Sequence, residues 1–188
     1  MSDSFTVNKR RTGKGVTYFV INAVFASAFG IALFTLGRNE CYTTKDSNTP
    51  VASTTENANN VTAWFNYTCL LGFVFYGLAA TASCGYLTLS PFIQSISGLT
   101  EKISRMLTYL VFIAVHVMRL SHTGSVCSGD YLPADARSDE IVDNYMIATG
   151  RFFMMYIIAG WVVVPVLLII MVCIKGDKWA ALALDAPK

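Results

Sequence analysis

Long stretches without a charged residue are the feature that most constrains how this chain can fold. The run from Gly15 to Gly37 reads GVTYFVINAVFASAFGIALFTLG, and no charged residue occurs between Asn57 and Thr100. A helix needs roughly 20 predominantly apolar residues to cross the hydrocarbon core of a bilayer, which is about 30 Å thick. Runs of this length predict helices that lie in a membrane.

The composition leads to the same conclusion. Of the 188 residues, 54% are hydrophobic and 14% are charged, whereas a soluble domain typically has about a quarter charged residues. The mean hydropathy is +0.49. The sequence therefore predicts an integral membrane protein, and the net charge of +2 is too small to favour nucleic acid as a partner.

The apolar runs predict an all-α membrane protein with a four-transmembrane-helix bundle. The predicted helices cover about residues 15–37, 62–89, 103–120 and 152–174, with a turn at 90–100. The first run is longer than the 7 to 15 apolar residues of a signal peptide and no cleavage site of small residues follows it, so we expect it to be retained. The remaining segments are a basic N-terminal segment (1–14), two loops (38–61 and 121–151) and a C-terminal tail (175–188).

The distribution of basic residues predicts the orientation of the bundle. Lysine and arginine are enriched on the cytoplasmic side of membrane proteins. Nine of the 14 lie in the N-terminal segment, near the turn after the second helix, or in the tail: Lys9, Arg10, Arg11, Lys14, Lys102, Arg105, Lys175, Lys178 and Lys188. Both termini should therefore face the cytoplasm (or the mitochondrial matrix), with the two loops outside. The four N-terminal basic residues are expected to contact anionic lipid headgroups.

Two of the five cysteines are candidates for a disulfide. Cys69, Cys84 and Cys173 fall inside predicted helices, where a cysteine usually acts as a small packing residue. Cys41 and Cys127 lie just beyond helix ends, one in each outer loop, in the compartment where disulfides persist. We predict that they pair; two free thiols are the alternative if that side faces a reducing compartment.

The first outer loop also contains a glycosylation sequon at Asn60, in the sequence Asn-Val-Thr. A second sequon begins at Asn66, inside the predicted headgroup region. Sequons arise by chance in a loop so rich in Asn and Thr. Glycosylation at Asn60 is therefore a prediction for a protein of the secretory pathway.

The stretch SHTGSVCSGDYLPAD, residues 121–135, contains several side chains that could bind a metal. His122, Cys127 and Asp130, with His116 in the preceding helix, lack the short Cys-x-x-Cys or His-x₃-His spacing that is typical of zinc sites. No catalytic motif is present either. We therefore predict no metal site, no catalytic site and no cofactor, and interpret the stretch as a loop shaped by Gly124, Gly129 and Pro133.

Polar and small residues in the helices give two further predictions. His116 and Arg119 lie on one face near the outer end of the third helix, where we expect them to reach the interface or to pair with loop acids. Small residues recur at helical spacing in the first two helices, which predicts close helix packing. These residues are Ala26 and Gly30 in the first helix, and Gly77, Ala80 and Cys84 in the second.

The layout of four helices, internal termini and two outer loops resembles, in topology, the small tetraspan proteins of the claudin and MARVEL kind. The claudin pair of first-loop cysteines is absent, because this loop contains only Cys41. The resemblance implies a role in organising membranes and accompanying larger assemblies. The leading hypothesis is a non-catalytic structural or accessory subunit of a membrane protein complex in a plasma or endomembrane.

The partners expected under this hypothesis are membrane lipids, other integral membrane proteins or copies of the chain itself. Two alternatives remain open. The first is a channel or transporter subunit, although the polar residues deep within the predicted helices are uncharged. The second is a respiratory-complex subunit of the mitochondrial inner membrane, with the loops in the intermembrane space.

Overall fold

The computed structural model describes residues 2–36, 39–85, 90–132 and 144–184, and these are mostly helical. The α-helices, in chain order, are α1 (Ser2–Ile31), α2 (Val61–Cys84), α3 (Pro91–Leu120), α4 (His122–Cys127) and α5 (Ile147–Leu184). A π-helical turn, Ala32–Leu36, continues α1. Two short strands, β1 (Tyr42–Thr43) and β2 (Asn59–Asn60), pair antiparallel in the first loop.

Among the described residues, three helical segments are long and apolar enough to cross a membrane. They are Gly15–Thr35, Val61–Cys84 and Ser95–Leu120. A shorter apolar segment, Ile147–Val162, begins α5. These segments are compatible with an integral membrane protein.

The predicted boundary between the second and third helices is wrong. Helix α2 ends at Cys84, and α3 begins at Pro91 within the stretch predicted to be a turn. Ser90 is extended and precedes a proline at the start of the helix, where the missing N–H of proline costs no hydrogen bond. As a result, Lys102 and Arg105 lie within α3 rather than beside a loop.

The first and last helices are also longer than predicted. Helix α1 starts at Ser2 and runs through the basic segment, so Lys9, Arg10, Arg11 and Lys14 lie on a helical backbone. Helix α5 begins at Ile147 and reaches Leu184, beyond both ends of the predicted span. Hydropathy marks the apolar part of a helix, whereas backbone hydrogen bonding continues into polar sequence. Contact of the four basic residues with headgroups stays a prediction.

Aromatic rings form the centre of the core. Phe25 and Phe29 of α1 lie against Tyr76 of α2 and Tyr156 of α5, with ring centroids 5.0 to 5.8 Å apart. The two tyrosine hydroxyls are 2.7 Å apart and share a hydrogen bond, which satisfies both polar groups inside the bundle. The Phe29 ring also lies against Gly72, where an added Cβ would be 2.5 Å from it.

The small residues of the first helix lie at packed positions. Ala26 is buried, and a Cβ added at Gly30 would be 3.1 Å from the Phe73 ring. On α2, Ala80 is buried and Cys84 is half-buried. At Gly77, however, none of the described residues has an atom within 4 Å of the place where a Cβ would stand.

The inclusion of Gly77 in the packing face is therefore a wrong prediction. Gly77 follows Gly72 by five positions, which turns it by about 140° away from the face that contacts Phe29. That face is set by Phe65, Cys69 and Gly72, which are buried at helical spacing. The spacing of small residues alone did not identify it.

Candidate functional site

The part of the molecule richest in specific chemistry lies where α1 ends, α2 begins, α3 ends and α5 begins. We call it the disulfide cap and define it as residues 39–60, 121–132 and 144–146. The loop 39–60 has few apolar residues with which to build a core of its own. Its attachment to the helices therefore depends on polar and covalent contacts.

Cys41 and Cys127 form a disulfide, the pairing that the sequence predicts. Their Cα atoms are 5.9 Å apart, and both residues are fully buried. Cys41 donates its N–H to Thr62 Oγ1 at 2.7 Å and accepts from Val61 N at 3.1 Å. The carbonyl of Cys127 accepts from Met146 N at 2.7 Å. The disulfide joins the first loop to α4, and the hydrogen bonds of the two cysteines connect them to α2 and to the segment before α5.

Arg119, near the end of α3, makes the second connection of the disulfide cap. It is 7% exposed, and its two terminal nitrogens donate to the two carboxylate oxygens of Asp130 at 2.6 and 2.7 Å. Its Nε donates to the carbonyl of Gly150 at 3.0 Å. Bidentate pairs of this kind are among the strongest hydrogen-bonded contacts in proteins. The expected pairing of Arg119 with a loop acid is confirmed, and the same side chain also joins α3 to α5.

His122 links the two loops of the disulfide cap. Its Nε2 is 3.1 Å from the carbonyl of Ser47, and its Nδ1 is 3.2 Å from the hydroxyl of Tyr131. The side chains considered as metal ligands have separate structural partners, with Cys127 in the disulfide and Asp130 on Arg119. Within the described ranges, no three His, Cys, Asp or Glu side chains are grouped as metal ligands.

His116 differs from the prediction, because its partners lie in the helices rather than in the loops. Its Nε2 is 2.9 Å from Trp161 Nε1, and its Nδ1 is 2.7 Å from the carbonyl of Phe112. An indole N–H can only donate, so Nε2 must accept and Nδ1 must carry the proton that it donates to Phe112. Both ring nitrogens are thereby occupied, and His116 fastens α3 to α5.

The glycines of the second loop act in two different ways. Gly129 has a φ of +75°, which favours glycine and confirms its predicted turn role. Gly124 is helical, in α4, and packs so closely on Met118 that a Cβ would be 2.8 Å from its carbonyl carbon. Gly124 therefore allows close packing of a short helix and does not form a turn of positive φ. Pro133 lies outside the described residues.

Asn60 has a structural function that the sequence analysis missed. It caps α2, since its Oδ1 accepts from Ala63 N at 2.9 Å. The signal was available, because an asparagine directly before an apolar run is a common helix start. Asn60 is exposed, while Thr62 of the same sequon is buried and bonded to Cys41. Glycosylation stays a prediction.

The contacts of the segment before α5 were also missed, and no local pattern indicates them. Asn39 donates from Nδ2 to the carbonyl of Tyr145 at 3.1 Å. Tyr145 is 6% exposed, and burial raises the pKa of its hydroxyl. These contacts seat the start of α5 against the first loop.

The surface of the first loop forms an open cleft of about 630 Å³. Its lining carries both signs of charge, from Lys45, Asp46 and Glu56. Asn57, in the same cleft, has a φ of 61°, a conformation that asparagine tolerates better than most residues. The cleft is thus an open depression of mixed polar and apolar character on the surface of the disulfide cap.

Taken together, the polar groups of the disulfide cap join helices and loops to one another. Cys41, Cys127, Arg119 and Asp130 are occupied by structural contacts, and His122 bridges the loops. The chemistry that this arrangement supplies is cross-linking of the fold. Comparison of the chain with known protein families, curated proteins and solved structures finds no match.

Proposed function

We propose that this chain is a tetraspan membrane protein that serves as a non-catalytic structural or accessory subunit of a larger membrane protein complex. In this proposal, residues 152–174 of α5 form the fourth span. The disulfide cap faces away from the cytoplasm (or the matrix), and both termini lie on the opposite side. The observation that carries the proposal is the disulfide cap, in which reactive side chains serve as cross-links.

Two observations support the orientation. Disulfides persist in oxidising compartments such as the secretory lumen and the cell exterior. The Cys41–Cys127 bond therefore favours an orientation in which the disulfide cap faces such a compartment. The basic residues concentrate in the N-terminal part of α1, in the first half of α3 and at the end of the chain. This asymmetry is typical of cytoplasmic ends.

The packing of the helices favours a structural role over conduction through a single chain. Rings from α1, α2 and α5 contact one another at the centre of the bundle, where a pore through one chain would run. A channel subunit would therefore need a pore between chains. Recognition of partners is assigned to the cleft of the disulfide cap and to the exposed apolar faces of the helices.

Cysteine labelling tests the orientation. Ser53 in the first loop and Ser95 near the start of α3 are both exposed, so a cysteine at either position can react. We expect an impermeant reagent to label Ser53→Cys on intact cells, and Ser95→Cys only after permeabilisation. Labelling of Ser95→Cys from outside would overturn the orientation. Ser97 is not a suitable reporter, because it is buried against Gly85.

Purification from the native membrane in mild detergent tests the accessory role. We expect integral membrane companions in fixed stoichiometry, and we expect their loss in Cys41→Ser, which opens the disulfide cap. Cys84→Ser is the matched control, since Cys84 is a half-buried free cysteine at the other end of α2. A chain that purifies alone and conducts ions after reconstitution would contradict the proposal. Respiratory subunits as companions would favour the mitochondrial alternative.

A further inference from the structure

The exposed side of α3 carries a continuous apolar stripe, which we call the α3 seam. Its positions alternate by four and three residues along the helix, and each is at least half exposed. The seam consists of Phe92, Ile96, Leu99, Ile103, Met106, Leu110, Ile113, Val117 and Leu120. This spacing is the heptad repeat with which one helix packs along another.

The α3 seam is narrow in the first half of α3, whereas in the second half the exposed Tyr109 widens the apolar surface. Apart from Ile93, the residues between seam positions up to 105 are polar or small: Gln94, Ser95, Ser97, Gly98, Thr100, Glu101, Lys102, Ser104 and Arg105. A helix that is covered only by lipid on its outer side needs a broad apolar surface, whereas a narrow stripe of period 3.5 is the pattern of a helix-to-helix contact.

Within the part of the chain that the structure describes, the rest of the bundle does not cover the α3 seam. The opposite side of the helix is the buried one, with Ser97, Ser104, Val111 and Val115 almost fully covered. Gly85 at the end of α2 lies against Ser97 on that side. The α3 seam therefore faces outward along the whole length of the helix.

We propose that the α3 seam is a self-association surface, on which α3 of a second copy packs in parallel; this inference rests on the proposed membrane location of the chain. Copies in one membrane share one orientation, so a twofold axis brings each seam position beside its counterpart. One set of alternate positions is mostly β-branched (Ile96, Ile103, Val117), and the other includes Leu99 and Met106. This division resembles the arrangement that favours two parallel strands.

The size and charge of the surface agree with a second copy as the occupant. Nine large side chains along a 30-residue helix supply an area on the order of the roughly 800 Å² per partner that a stable interface buries. Glu101 and Arg105 lie off the α3 seam and pair with each other within one helix. The exposed Lys102 also lies off the α3 seam, so no charged residue occupies a seam position.

Disulfide cross-linking in native membranes tests the inference on the full chain, with Cys84 and Cys173 replaced by serine and the fully buried Cys69 left in place. Single cysteines replace Ile103, Met106, Leu110 and Ile113 in turn, and all are exposed positions at which a smaller side chain leaves the fold intact. The controls are Leu71→Cys and Leu78→Cys, exposed positions at comparable depth on α2.

We expect the seam variants to form cross-linked dimers several-fold more efficiently than the α2 controls, and to keep doing so after tenfold dilution with lipid. Equal yields on both helices, or loss of the seam dimers on dilution, would overturn self-association and leave lipid as the covering of the α3 seam. The accessory role is judged separately by purification of companions. Seam dimers without companions would therefore contradict that role and not this inference.

Discussion

Helix α3 carries two arginine–carboxylate pairs that differ in almost every respect. The side chain of Arg119 is 9% exposed, and it joins Asp130 in the loop after α4 to the carbonyl of Gly150 in α5. The side chain of Arg105 is 53% exposed and pairs with Glu101, one turn away on the same helix. Its guanidinium carbon is also 5.3 Å from the centroid of the Tyr18 ring.

The two pairs reflect how the two ends of the bundle are built. At the disulfide cap, loops and helix ends far apart in sequence meet through Cys41–Cys127 and through Arg119. At the opposite end, helices pack by close contacts such as that of Gly85 with Ser97, and the Arg105 ion pair is local. The stability of the capped end therefore depends on a few specific side chains. Substitutions there should cost more free energy than comparable ones at the other end.

Opening the disulfide should have the largest effect. For a separation of 86 residues, the entropy of the unfolded chain predicts a loss of about 4.6 kcal/mol. Helices that remain formed in the membrane shorten the free loop, so we expect Cys41→Ser or Cys127→Ser to lower the free energy of unfolding by about 2–4 kcal/mol. Unfolding of the purified protein by increasing SDS in mixed micelles measures this change.

Cys84→Ser serves as the control for the opposite end and should change the same quantity by less than about 0.5 kcal/mol. An equal loss in both variants would show that the two ends do not differ in this way. Treatment of the wild-type chain with a reductant after partial unfolding should reproduce the effect of Cys41→Ser.

Removal of the Asp130 charge should have the next largest effect. A charge left alone in a buried pair costs about 3–5 kcal/mol; Asp130 is 39% exposed, so we expect about 2–3 kcal/mol for Asp130→Asn. Adding Arg119→Met should recover part of this loss, because the unpaired charge is then removed as well. A double variant that is simply the sum of the two single losses would contradict coupling between the residues.

The residues that could be predicted are those whose chemistry demands a partner. Two cysteines beyond helix ends and an arginine at the edge of an apolar helix each required a specific contact, and Cys41–Cys127 and Arg119–Asp130 supply it. The existence of the long helices followed from the length of the apolar runs. These inferences needed no knowledge of how the helices are rotated.

The features that could not be predicted depend on that rotation. The contact of His116 with Trp161 requires α3 and α5 to turn particular faces toward each other, and no local pattern records this. The start of α3 at Pro91 was missed because its first turns mix polar residues with the α3 seam, which lowers their hydropathy. Gly77 was misassigned because small residues occur on exposed as well as packed faces.

Two glycines of α2 give a matched test of how tight the bundle is along one helix. A Cβ at Gly72 would be 2.5 Å from the fully buried Phe29 ring, which has no room to move, whereas a Cβ at Gly77 meets nothing within 4 Å. We expect Gly72→Ala to destabilise by about 1–2 kcal/mol. Gly77→Ala should be neutral or stabilise by up to about 1 kcal/mol, through the better helix propensity of alanine. The same SDS titration measures both changes. If Gly77→Ala were destabilising, that face of α2 would have to contact another part of the protein.

The smallest effect is expected for Glu101→Gln, which removes the charge from the local pair while preserving the size of the side chain. Ion pairs one helical turn apart contribute about 0.3–0.5 kcal/mol. Here the Arg105 side chain is 53% exposed and that of Glu101 is 13% exposed, and the contact of Arg105 with the Tyr18 ring remains in the variant. The change should therefore stay below about 0.5 kcal/mol and should vanish at high salt, because the Arg105 side chain is more than half exposed. Each variant leaves an arginine without its carboxylate: Arg119, whose side chain is 9% exposed, in Asp130→Asn, and Arg105, whose side chain is 53% exposed, in Glu101→Gln. The two variants together therefore compare a buried unpaired guanidinium with an exposed one. If Glu101→Gln were as costly as Asp130→Asn and insensitive to salt, Glu101 would have to hold α3 to another element, and the contrast between the two ends would fail.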